Sequence, residues 1–76
     1  MQINFVDITY DDKYVYATGT DLLTGVTKKI RISRTNDDDF WCEGDYETVF
    51  YRGAVALMGD LIDNHKLPKE KCYMWE

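Results

Sequence analysis

The sequence predicts an α+β fold: an antiparallel sheet of three to four strands with one long helix packed across a face, in the order β-β-β-α-β. Three observations lead to this prediction. Segments rich in β-branched and aromatic residues come first, a stretch with helical spacing of apolar residues follows, and a short alternating segment ends the chain. With 76 residues, the chain has room for one domain only, spanning residues 1–76.

The first two strands are predicted from their composition and from the turn between them. The first strand is predicted over Gln2–Tyr10, which is rich in β-branched and aromatic residues. The second is predicted over residues 13–20, where Tyr14, Tyr16 and Thr18 share one face. Because only the turn-forming pair Asp11-Asp12 separates the two segments, we expect an antiparallel hairpin.

The third strand, predicted over residues 26–33, has the clearest alternation in the chain. The pattern places Val26, Ile30 and Ile32 towards the core, and Thr27, Lys29, Arg31 and Ser33 towards solvent. Lys28 interrupts the inward series. We therefore expect Lys28 to lie near a strand end or to extend its ammonium group to water.

A helix is predicted to begin near Asp45, a favourable N-cap, and to end with Asn64 in a left-handed conformation. One broad apolar stripe is formed by Val49, Phe50, Ala54, Leu57, Met58, Leu61 and Ile62. Gly53 and Gly59 lower helix propensity, so we expect a packing reason for them, such as close approach to the sheet. Residues 71–75 alternate again and predict the last strand.

Composition excludes several classes of protein. No apolar run is long enough to span a membrane, and residues 1–5 do not resemble a secretory signal, so we expect a cytoplasmic protein. Two cysteines are too few for a disulfide framework, and in a reducing compartment Cys42 and Cys72 are expected to be free thiols. A net charge of −5 disfavours direct nucleic-acid binding, which needs a basic surface.

Catalytic and metal-binding patterns are absent from the sequence. Cys42, His65 and Cys72 lack the paired spacing of a zinc site, and the acidic run 37–39 lacks the spaced ligands of a calcium loop. No glycine-rich phosphate loop is present. We therefore predict no enzymatic activity, no catalytic residue, no metal site and no cofactor. A small enzyme with a reactive cysteine remains an alternative.

The most informative stretch is residues 37–47, called the acidic segment, which holds six acidic residues and no basic one. This charge density is comparable with that of a nucleic-acid strand, about one phosphate per 3.4 Å in duplex DNA. Tryptophan and tyrosine are frequent anchors of protein interfaces. The predicted partner-binding residues are Asp37, Asp38, Asp39, Trp41, Glu43, Asp45, Tyr46 and Glu47. The alternative is an acidic loop whose aromatic residues turn inwards.

These features predict a binding protein that occupies the basic surface of a nucleic-acid-processing protein partner. A second hypothesis is a nucleic-acid-binding accessory protein that uses the third strand and its neighbouring tyrosines. Its cations are Lys28, Lys29, Arg31 and Arg34. A structural component that self-associates, for example as a homodimer, also remains open.

In its size, its acidic segment and its lack of a catalytic motif, the chain resembles small phage-encoded inhibitors, including anti-CRISPR and host-takeover proteins. The resemblance implies an inhibitor that blocks a nucleic-acid-binding site in the host cytoplasm without catalysis. It assigns a role to no individual residue.

Overall fold

A computed structural model describes residues 1–75 of the chain. It contains five strands and one helix. Their bounds are β1 Gln2–Tyr10, β2 Tyr14–Asp21, β3 Thr27–Ser33, β4 Phe40–Cys42, α1 Thr48–Asn64 and β5 Lys71–Met74.

The five strands form one sheet in the order β4-β3-β2-β1-β5, with every neighbouring pair antiparallel. The helix packs across one face, against β1 to β4. The predicted α+β class is therefore confirmed. The sequence did not predict β4, because three residues are too few for alternation to show. The face of the sheet that points away from α1 is called the open face.

A bulge in β1 keeps its apolar side chains pointing at the core. Ile3 and Phe5 are buried, so simple alternation would direct Asp7 inwards. Instead Asp7 adopts a positive φ of 53°, and the pairing register shifts between Val6 and Thr9. Aspartate tolerates this left-handed conformation better than most residues. As a result, Ile8 is buried and Asp7 is exposed.

Phe5 lies at the centre of the core, between two glycines. A Cβ atom built on Gly19 of β2 would lie 2.7 Å from Phe5 Cε1, and one built on Gly53 of α1 would lie 2.8 Å from Phe5 Cζ. The helix thus approaches the sheet closely at Gly53, as expected. The same expectation is wrong for Gly59, where a Cβ atom would meet nothing within 4 Å.

Both ends of α1 differ from the sequence prediction. The helix begins at Thr48 with Glu47 as N-cap, not at Asp45, and no side chain caps its first turn. The left-handed residue at its end is His65, with φ 62°, rather than Asn64; its N–H donates to the Leu61 carbonyl. Within residues 1–75, no helix is long and apolar enough to cross a membrane.

Two predictions for β3 are wrong. Val26 lies before the strand, in the turn after β2, and is 37 % exposed instead of buried. Ser33 is buried instead of exposed, because the next turn folds over it and its Oγ accepts hydrogen bonds from the N–H groups of Thr35 and Asn36. Ile30 and Ile32 are buried as predicted.

The C-terminal strand is held to both the sheet and the helix. β5 pairs with β1, and the Phe5 and Tyr73 rings meet edge to face with centroids 6.2 Å apart. The Tyr73 hydroxyl donates a hydrogen bond to Asp60 of α1. Burial first, and then this carboxylate, raise the pKa of Tyr73 well above its usual value. The terminal strand is therefore an integral part of the fold.

Candidate functional site

β4 determines how the acidic segment lies on the molecule. It pairs with β3 in the register Ile30 with Cys42, Arg31 with Trp41, and Ile32 with Phe40. Because successive side chains of a strand point to opposite faces, Phe40 and Cys42 face the helix whereas Trp41 faces the open side. The acidic segment therefore contributes to two different surfaces.

On the helix side, three aromatic rings form a cluster. Phe40 of β4 lies 5.3 Å from the Tyr51 ring of α1 and 6.1 Å from the Tyr46 ring, measured between centroids. Tyr46 and Tyr51 are 6.2 Å apart. Both contacts of Phe40 are close to perpendicular, a favourable geometry for aromatic pairs. Phe40 and Tyr51 are half-buried, whereas Tyr46 is 62 % exposed.

Two exposed carboxylates lie beside this cluster. Asp37 and Asp38 occupy the turn between β3 and β4, and their side chains are exposed. Burial raises the pKa of the Tyr51 hydroxyl, and the negative charges of Asp37 and Asp38 raise it further. The turn leads directly into Phe40, two residues after Asp38, and so joins both carboxylates to the aromatic cluster. Asp37, Asp38, Phe40, Tyr46 and Tyr51 together are called the acidic–aromatic surface.

Some carboxylates of the acidic segment are used within the fold. Glu47 pairs with Lys28 at 3.1 Å, and Lys28 Nζ also donates to the Asp45 carbonyl at 2.8 Å. Glu43 Oε1 accepts a hydrogen bond from the backbone N–H of Lys29 at 3.2 Å. Asp39 Oδ2 accepts one from the Tyr14 hydroxyl at 3.0 Å. These contacts hold the segment against β2 and β3.

The other three carboxylates remain available. Within residues 1–75, the side chains of Asp37, Asp38 and Asp45 make no ion pair, and all three residues are exposed. The ion pair of Lys28 with Glu47 is the only one in this part of the chain. The acidic segment therefore keeps most of its charge on the surface.

On the open face, Arg31 lies between two aromatic residues. It is directly opposite Trp41 of β4 on one side and Tyr16 of β2 on the other. Trp41 is 47 % exposed and Tyr16 is 37 % exposed. Together with Thr18 and Lys29, these residues line a shallow groove with a volume of about 360 Å³, called the open-face groove.

Hydrogen bonds fix the tyrosines of the open face. The Tyr16 hydroxyl donates to Asp11 at 3.1 Å, and the Tyr14 hydroxyl donates to Asp39 at 3.0 Å. The bond to Asp39 is the main cause that raises the pKa of Tyr14, whereas burial is the main cause for Tyr16. Both tyrosine hydroxyls are therefore neutral at physiological pH, and each donates the hydrogen bond that holds its own ring in place.

The predicted partner-binding residues do not form one surface. Trp41 lies on the open face, whereas Tyr46 lies with Phe40 and Tyr51 on the helix side. Sequence reasoning missed Tyr51. Tyr51 lies four residues after Glu47, one helical turn into α1. This spacing is the signal that could have placed it beside the acidic segment.

The two cysteines lie on opposite edge strands of the sheet. Cys42 is buried in β4 with Sγ 3.5 Å from the Asp45 carbonyl, whereas Cys72 is exposed on β5 and His65 ends α1. Residues 1–75 contain no group of three or more His, Cys, Asp or Glu side chains placed to hold a metal ion.

Comparisons with known proteins assign neither surface. No protein-family model matches the chain, and no curated protein or solved structure matches it. The two surfaces are distinguished by their own side chains: carboxylates with aromatic rings on the helix side, and cations with aromatic rings on the open face.

Proposed function

We propose that the chain is a non-enzymatic binding protein whose acidic–aromatic surface docks on the basic, nucleic-acid-binding surface of a protein partner. It would act in the cytoplasm by occupying the site that the partner uses for phosphate groups. This mode of action is that of the small phage-encoded inhibitors which the chain resembles in size and charge.

The observation that carries the proposal is the position of Asp37 and Asp38 in the turn that leads into the aromatic cluster, whose Tyr46 ring is exposed. Carboxylates at the rim of an interface attract a basic partner and orient it, whereas buried aromatic contacts supply most of the affinity. Tyr46, with much of its ring in solvent, is suited to this second role. Charge and contact area therefore occur together on one surface.

The basic strand β3 does not neutralise this surface. Alternation divides its cations: Lys28 points to the helix side and pairs with Glu47, whereas Lys29 and Arg31 line the open-face groove. Arg34 is held at the hairpin, where Nη1 donates to the Asp11 carbonyl at 2.6 Å. Asp37 and Asp38 thus remain free to meet an external cation.

The first prediction concerns the double substitution Asp37→Lys/Asp38→Lys. It should weaken binding to the partner by about tenfold or more, because like charges would then face each other across the interface. The tagged chain is used to capture proteins from host lysate, and captured proteins are identified by mass spectrometry. The affinity of the purified partner is then measured by calorimetry at increasing salt, with and without a competing duplex oligonucleotide.

A matched control is Asp12→Lys/Asp63→Lys, which makes the same charge change at two exposed positions, one in the turn between β1 and β2 and one near the end of α1. The control should retain binding, and a duplex oligonucleotide should displace the chain from its partner. The proposal fails if both double variants bind equally well, if salt leaves the affinity unchanged, or if the duplex oligonucleotide and the chain bind the partner together.

A further inference from the structure

We infer that the open-face groove binds single-stranded nucleic acid. This site lies on the opposite face of the sheet from the acidic–aromatic surface and does not depend on it. Its central residue is Arg31, with Trp41 and Tyr16 on either side and Lys29 nearby. The helix covers the other face, so these side chains are open to a ligand.

Within residues 1–75, neither cation of the groove forms an ion pair. Arg31 Nε is buried and donates to no acceptor in residues 1–75, although buried donors are nearly always paired. Its guanidinium group stacks 4.7 Å from the centre of the Tyr14 ring, which holds its orientation. Lys29 is exposed. Because Nε is buried, the Nη groups of this oriented guanidinium are the donors suited to bind a phosphate group.

The aromatic rings provide surfaces for base stacking. Trp41 and Tyr16 are both exposed, and the Tyr16 hydroxyl is tied to Asp11. A ring that is already held in place loses little entropy when a base stacks on it. Proteins that bind single strands without sequence preference combine such rings with a basic groove that follows the backbone.

The spacing of the rings favours a strand over an isolated nucleotide. Neighbouring strands lie about 4.8 Å apart, so Trp41 and Tyr16 are separated by about 10 Å across β3. One base cannot cover both rings, whereas successive bases of one strand can, with their phosphates near Arg31 and Lys29. Duplex bases are already stacked on each other and cannot reach either ring.

The net charge of −5 does not exclude this site. Asp37 and Asp38 do not line the groove, and Asp11 and Asp39 accept the tyrosine hydroxyls. Asp7 is the one carboxylate that lines the groove itself. Cations therefore predominate among its charged groups. We expect modest affinity that is strongest at low salt.

The test is fluorescence anisotropy with a labelled oligothymidylate of about twelve nucleotides, a length within the range of known single-strand sites. We expect binding at about 50 mM salt that weakens towards about 200 mM. Lys29→Gln/Arg31→Gln should weaken binding by about tenfold. It should also reduce the slope of log K against log salt by about 1.4, which corresponds to two phosphate contacts.

The matched control is Lys66→Gln/Lys69→Gln, which removes two exposed lysines outside the groove and should change affinity by less than about twofold. Trp41→Ala, at an exposed position, should also weaken binding by about tenfold through lost stacking. Asp37→Lys/Asp38→Lys should not weaken it, which separates this site from the proposed protein interface. Circular dichroism confirms that each variant is folded.

Four results would overturn the inference. They are no binding of the wild-type chain at about 50 mM salt, equal affinity for a labelled duplex, equal effects of the two double glutamine variants, or thymidine monophosphate competing as strongly as the oligonucleotide. If the double variant of Lys29 and Arg31 fails to fold, Trp41→Ala decides alone: undiminished binding by this variant counts against the site.

Discussion

Asp11 shows how one side chain supports both a turn and a surface. Its Oδ1 accepts hydrogen bonds from the N–H groups of Lys13 and Tyr14, both at 2.8 Å, and closes the hairpin between β1 and β2. Its Oδ2 accepts the Tyr16 hydroxyl on the open face. The N–H groups of Tyr14 and Lys13 hold the pKa of Asp11 below its ordinary value of 3.8.

The lowered pKa gives a prediction for Asp11→Asn. Since the folded-state pKa is depressed, the Asp11 carboxylate stabilises the fold fully above pH 3.8, and this contribution is lost as pH falls through the folded pKa. At pH 7 the variant should melt at a lower temperature than the wild type. As the pH falls from 3.8 through the folded-state pKa of Asp11, the two melting temperatures should converge, as measured by circular dichroism.

Asp12→Asn is the matched control, because it removes the same charge at the neighbouring exposed position. The Asp12 side chain accepts none of the hydrogen bonds that close the turn. A melting-temperature difference for Asp11→Asn that persists at low pH, or that Asp12→Asn reproduces, would show that the charge of Asp11 does not stabilise the turn.

At the scale of elements, the contact between α1 and the sheet depends on a small residue facing a large one. Gly53 leaves space for the Phe5 ring and for Ile3, whose Cγ2 would lie 2.9 Å from an added Cβ. Gly59, on the same helix, faces open space. Close packing therefore requires a glycine at position 53 but not at position 59, although both are helix glycines in the sequence.

This difference predicts opposite effects of the same substitution. Gly53→Ala should lower the free energy of unfolding by about 1 to 3 kcal/mol, because the rigid Phe5 ring has to move out of a packed core. Gly59→Ala should raise it by up to about 1 kcal/mol through better helix propensity. Urea denaturation measures both changes. Equal effects of the two substitutions would contradict the close packing at Gly53.

At the scale of the whole molecule, the stability of the fold depends more on how its charges are distributed than on their sum. The chain measures 31 × 22 × 21 Å. At about 0.01 M salt the Debye length is about 30 Å, so every carboxylate interacts with every other across the molecule. At about 0.1 M it is about 10 Å, and repulsion is confined to close neighbours such as Asp37 and Asp38.

The thermal stability of the protein should therefore increase with salt. Raising sodium chloride from about 0.01 to about 0.1 M should raise the melting temperature, because screening relieves repulsion within the acidic segment. The increase should be smaller in Asp37→Asn/Asp38→Asn than in Asp12→Asn/Asp63→Asn. A melting temperature that is independent of salt would mean that the fold already compensates these charges.

The candidate site was predictable as a segment but not as a surface. The acidic segment and its interface-type residues Trp41 and Tyr46 are evident in the sequence. That they lie on opposite faces follows from β4, which is only three residues long and exists because it pairs with β3. Tyr51 joins the surface through the helix, at a point where the sequence shows only helical spacing.

By itself, the sequence determined the α+β class, strands β1 to β3, β5 and the body of α1, because alternation and helical spacing are properties of consecutive residues. Only the tertiary structure decided the bulge at Asp7, the pairing of β4 and the separation of the charges onto two faces. These features depend on which strands lie side by side. A residue pattern along the chain carries no information about a neighbour that folding brings into contact.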